Sequence, residues 1–129
     1  MEPALSFGTA VNCMDGRVQE PVIRWLQQMF HVQYVDVITE AGPIKTLACN
    51  KPDPVAESIR QRLEVSMYKH HSQVVAVVGH HDCAGNPLPY SQQVKQIKLS
   101  VEQVRGWFPA IQVVGLYVNQ LWQVESVCE

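Results

Sequence analysis

One run constrains the fold of this chain more than any other: QVVAVVG, residues 73–79, which stops abruptly at His80, His81, Asp82 and Cys83. A strand with one face in water alternates apolar and polar residues. A strand apolar at nearly every position is covered on both faces, as in the middle of a parallel sheet. Parallel neighbours need crossover connections, usually helices, and the rest of the sequence supplies them. FGTAVN (7–12) reads as a first strand. Residues 19–31 read as a helix, with Val22, Ile23, Leu26, Met29 and Phe30 on one face and Pro21 in the first turn. VQYVDVIT (32–39) is rich in β-branched residues and strand-like, and AGP then breaks the pattern.

Asp53 is a candidate N-cap with Pro54 at the first helical position. The helix it opens is expected to run to Lys69, with Val55, Ile59, Leu63 and Met67 on one stripe. A further helix over 90–106 carries Val94, Ile97, Val101 and Val104. AIQVVGLYV (110–118) is another strand, and Asn119-Gln120 turns it into a short antiparallel strand, LWQVESV. The expected fold is α/β: a mostly parallel β-sheet of about four strands plus an antiparallel edge strand, with helices on both faces. A chain of 129 residues suits one domain, 1–129, and is long enough to bury a core without disulfides.

Composition narrows the function classes. With 47% hydrophobic and 17% charged residues the chain is ordinary globular protein, and a net charge of −2 argues against a nucleic-acid partner. No apolar run approaches the ~20 residues of a membrane span, and no signal-peptide pattern opens the sequence, so a cytoplasmic protein is expected. In that setting four cysteines favour thiols or metal ligands over a disulfide framework.

The chemistry gathers where strands end. In doubly wound sheets, ligands bind at the carboxyl ends of strands, beside a reversal in strand order. If the first and third strands are neighbours, Cys13, His80 and Cys83 meet there. Two thiolates and an imidazole suit tetrahedral zinc with the fourth position open to water, whose pKa would fall to roughly 7. Asp15 beside the ion would accept a hydrogen bond from that water, and the Arg17 fork would hold the carboxylate ionised. The blander readings are buried thiols or a Cys13–Cys83 disulfide, and a surface ion pair worth only ~0–1 kcal/mol.

Cys-x-Asp-x-Arg (Cys13, Asp15, Arg17) after a first strand and His-x-x-Cys (His80, Cys83) after a third resemble the signature of β-class carbonic anhydrases, from about residue 7 to 127. The resemblance implies zinc bound by Cys13, His80 and Cys83, a catalytic dyad of Asp15 and Arg17, and a substrate pocket against Gly42, Ala84 and Gly85. It implies reversible hydration of CO2 to bicarbonate, and a homodimer or higher homo-oligomer with active sites near the subunit interface. Two places depart from the family pattern. Thr39-Glu40 stands where an arginine-asparagine pair is usual, and Ala84 where glycine follows the second cysteine. The altered second-strand end motivates a second reading, a hydrolase of a CO2-like molecule such as CS2 or COS, and the shortness of the chain against the family pattern motivates a third, a zinc-binding protein without turnover.

His81 is expected to point away from the ligand set, and Asp82 to cap or orient the loop. His70 and His71 are assigned structural or solvent roles at a helix end. Glu40 is expected to line the pocket. Trp25, Trp107 and Trp122 are expected in packing or an interface, with Leu121 and Trp122 on the last strand. Cys49 and Cys128 receive no role.

Overall fold

The computed structural model describes residues 6–129. Its elements are β1 (Phe7–Cys13), α1 (Gln19–Phe30), β2 (Tyr34–Glu40), α2 (Pro43–Leu47), α3 (Pro54–Lys69), β3 (Val74–His80), α4 (Tyr90–Trp107), β4 (Gln112–Val118) and β5 (Val124–Cys128). The strands form one sheet in the order β2-β1-β3-β4-β5. Every pairing is parallel except β4 with β5. The α/β fold, with its antiparallel edge, is thus as the sequence pattern predicts.

The apolar run of β3 has its explanation in the two clusters that flank the sheet. Val75 and Val77 join Ile59, Leu63, Ile97 and Val101 of α3 and α4 on one face. Val74, Ala76 and Val78 join Val22 and Leu26 of α1 on the other. Successive side chains of a strand point to opposite faces, and both faces here are roofed by helices, so every residue of β3 is buried. No helix among the described residues is long and apolar enough to cross a membrane.

Local expectations fared unevenly. Asp53 caps α3: its Oδ1 accepts from the Val55 N–H at 2.8 Å and the Ala56 N–H at 3.1 Å. Val55 is exposed, though, and Ala56 takes its place on the buried stripe of α3. Met29 also faces outward, because Val18, Val22 and Leu26 already fill the seam between α1 and the sheet. The AGP break hides a short helix, α2, whose Ile44 and Leu47 are fully buried. Leu121 and Trp122 lie in the turn before β5, not on the strand. Asn119 builds that turn by accepting from the Leu121 and Gln123 N–H groups through its own Oδ1.

Candidate metal centre

The strand order reverses between β1 and β3: the chain leaves β1 for β2 on one side and later returns to lay β3 on the other. The ladder between them runs only from Thr9↔Val75 to Val11↔Val77. The strands therefore part before their last residues, Cys13 and His80, and a crevice opens between them. Side chains hold the loops that border it. Asn12 Oδ1 accepts from the Cys13 N–H at 2.9 Å, and Gln19 Nε2 donates to the Cys13 and Asp15 carbonyls at 2.7 and 2.9 Å. Behind Cys83, the Asn86 carbonyl accepts from Gln93 Nε2 and its side-chain amide donates to Gln96 Oε1, tying the loop to α4.

Cys13, His80 and Cys83 are all buried, and one donor atom from each lies within 4.8 Å of the others. The two Sγ atoms are 3.8 Å apart, so the cysteines are free thiols and the disulfide reading is excluded. Thiolates each ~2.3 Å from one tetrahedral zinc would be about 3.8 Å apart. His80 Nδ1 is taken by the His81 carbonyl at 2.7 Å. Its Nε2 is buried without a partner. Buried polar atoms are rarely left so, and an imidazole nitrogen fixed in its tautomer by a backbone carbonyl is the usual form of a histidine metal ligand. The donor set and the orphaned nitrogen both fit zinc.

Electrostatics separate the groups. Burial lowers the His80 pKa, which favours the neutral ring. Burial, with Cys13 alongside, pushes the Cys83 thiol up to about 11, and backbone N–H groups of Gly85 and Asn86 directed at it oppose the rise. The Arg17 side chain holds Asp15 down at about 2. Arg17 Nη2 donates to Asp15 Oδ2 at 2.7 Å, Nε donates to the same carboxylate, and the Arg17 backbone N–H donates to Oδ1 at 2.9 Å. These bonds close a turn, so Asp15 is reached by a bend in the chain rather than by the extended backbone of β1.

A cleft of about 210 Å³ is lined by Cys13, Met14, Asp15, Ala41, Ala84 and Gly85. Gly42 stands behind this wall. It has φ +66°, and a Cβ there would lie 2.8 Å from Asn86 Cβ. A Cβ on Gly85 would lie 2.6 Å from the Ala41 carbonyl carbon. The loop after β2 and the loop after β3 thus meet backbone to backbone, which only glycine permits. Glu40 does not line the cleft, contrary to expectation, because its carboxylate pairs with Arg62 of α3. His81 is exposed and contributes only its carbonyl to His80. His70 caps α3, with Nδ1 2.7 Å from Asp36 Oδ2 and its ring stacked on Phe7. Trp122, expected in packing, also lies over the Arg17 guanidinium, and Asp82 pairs with that guanidinium. Nothing in the local sequence marks that contact, since the two residues meet only through the tertiary fold.

Fold and site together define a doubly wound α/β protein with a Cys-His-Cys cluster at its switch crevice. A family model described as "Putative carbonic anhydrase" matches residues 4–128. The chain belongs to that family. No curated protein matches it in sequence. Among solved structures, the fold is similar to that of β-carbonic anhydrase isoform I of Trichomonas vaginalis, at 18% identity and TM-score 0.60, over 98% of this chain and 84% of that one. It is similar to tetrameric β-carbonic anhydrase of Sordaria macrospora at 11% identity and TM-score 0.53, over 96% and 81%. A β-carbonic anhydrase of Aspergillus fumigatus matches at 16% identity and TM-score 0.50, over 97% and 77%.

Proposed function

We propose that the protein is a zinc-dependent carbonic anhydrase-type lyase that interconverts CO2 and bicarbonate. The observation that carries this reading is the orphaned His80 Nε2 in a cluster with two thiols 3.8 Å apart, on the same cleft as an ionised aspartate. Cys13, His80 and Cys83 would hold the ion. Zinc, when bound, would supply a water acidic enough to react near neutral pH and a Lewis acid for the substrate.

The chain's own residues do the rest. Asp15 is ionised across the physiological range, so its carboxylate only accepts hydrogen bonds. It would accept a hydrogen bond from a water in the cleft and so direct that water's lone pair toward the substrate carbon. Arg17 occupies both Asp15 oxygens from one side and fixes the carboxylate's rotation. Met14, Ala41 and Ala84 give the cleft an apolar wall that suits a small uncharged gas. The same wall, with Glu40 drawn away onto Arg62, supports a second reading: hydrolysis of CS2 or COS at this site. Self-association belongs to the proposal as well, supported by the exposed Tyr34 on edge strand β2 and by the tetrameric state of the Sordaria proteins. So does a reducing, cytoplasmic setting, which keeps Cys13 and Cys83 available as thiols.

The test is to measure metal content of protein purified without added metal, then CO2 hydration and CS2 and COS hydrolysis on the same sample. One zinc per chain with rapid CO2 hydration is expected. Preference for CS2 or COS would select the second reading. Full zinc with turnover of none of the three gases would leave a metal-binding protein and overturn both.

A further inference from the structure

Arg17 is nearly half exposed, and an exposed ion pair is ordinarily a loose one because water and side-chain entropy compete with it. This guanidinium is instead engaged along both edges and on one face. One in-plane edge, Nε and Nη2, donates to Asp15. The other edge meets Asp82: Nη1 donates to the carboxylate at 3.3 Å and Nη2 to the backbone carbonyl at 3.2 Å. A face of the group is covered by the Trp122 indole, with 4.4 Å from Cζ to the ring centroid.

Asp82 and Trp122 both arrive there with left-handed backbone. Both have positive φ, 58° and 59°. Aspartate tolerates that conformation, but a bulky residue such as tryptophan adopts it only when the surrounding structure compels it. The compulsion comes from Asn119. Its Oδ1 accepts from Leu121 and Gln123, its carbonyl from the Trp122 N–H, and its Nδ2 donates to Glu125 of β5. A rigid β4–β5 turn therefore presents an aromatic face to an arginine that belongs to the loop after β1.

We infer that Trp122 and Asp82 are positioning residues for the cleft: they clamp Arg17, and through Arg17 they fix the orientation of Asp15. The catalytic consequence rests on the function proposed above; the clamp itself does not. A stacked guanidinium keeps one rotamer, so the fork presented to Asp15 does not wander.

The experiment uses the full chain, with and without zinc, as wild type, Trp122→Phe and Trp122→Leu. Arginine Nε–Hε NMR correlations, with Arg17→Gln to assign the Arg17 signal, report the stacking directly. The Arg17 signal of the wild type should be displaced from free arginine by the indole ring current, should return toward it in Trp122→Leu, and should stay displaced in Trp122→Phe. On zinc-loaded protein, kcat for the preferred gas should fall roughly tenfold in Trp122→Leu, and by no more than about threefold in Trp122→Phe, with KM and zinc content unchanged. A wild-type Arg17 signal at the free-arginine position overturns the clamp even if Trp122→Leu fails to fold. An undisplaced signal in Trp122→Phe, or wild-type kcat in Trp122→Leu, overturns it too. If no gas is turned over, the hydration reading falls and the NMR signals alone decide the clamp.

Discussion

Asp15 has a folded pKa of about 2 against 3.8 for an ordinary aspartate, and the Arg17 side chain is the main cause. The folded value is the lower one. The stability this pair contributes is therefore complete above about 3.8 and is lost as pH falls through about 2. Urea unfolding between pH 5 and 2 should show a midpoint that drops more steeply in wild type than in Asp15→Asn, which has no carboxyl to titrate. For turnover, Asp15→Asn replaces an acceptor by a group that can also donate. Activity should fall roughly 10²-fold, the scale of a positional loss, while zinc content stays near wild type. Cys83 gives a prediction of opposite sign. Without metal its thiol stays protonated until about pH 11, so zinc loading at pH 7 must release that proton. Calorimetry in buffers of different ionisation heat should detect the release. Apparent zinc affinity should rise about tenfold per pH unit for each proton displaced. Cys83→Ala should lose the metal.

Among the elements, the loops after β2 and β3 are the least tolerant. Gly85→Ala would place a methyl against the Ala41 carbonyl, backbone that cannot rotate away. The cleft wall should shift, and the loss of stability should be about 1–3 kcal/mol, as for overpacked sites, measured by chemical denaturation. The contrast is Asp53→Ala at the start of α3. It deletes two cap hydrogen bonds at a residue that does not line the cleft and should cost about 1 kcal/mol with zinc content unchanged. That cap was legible in the sequence because a capping residue followed by proline acts within one turn of chain. The short helix α2 was not legible, since five residues are too few to display a helical period. Its helix is held by burial of Ile44 and Leu47 beneath α4 and against β3, a tertiary cause.

For the whole molecule, the sheet ends on one side at β2, with Tyr34 half exposed on it, and on the other at the short β5. Open edges of this kind are templates for pairing with another chain. Sedimentation velocity at micromolar concentration should show a species larger than 14.6 kDa, and a monomer would contradict the proposed assembly. By itself the sequence determined the succession of the strands and the three long helices, the central place of β3 and the placing of Cys13, His80 and Cys83 at or just beyond strand ends. Each of those follows from local periodicity or from a motif a few residues long. Only the tertiary structure decided that β1 and β3 are neighbours that part before their ends, which is what brings Cys13 to His80 and Cys83. It also decided the partner of Glu40, which the resemblance had placed at a pocket and Arg62 drew away, and the meeting of Trp122 with Arg17. Such contacts join residues far apart in the chain. They depend on how loops settle once the sheet and its helices have packed, and no local pattern of residues encodes that.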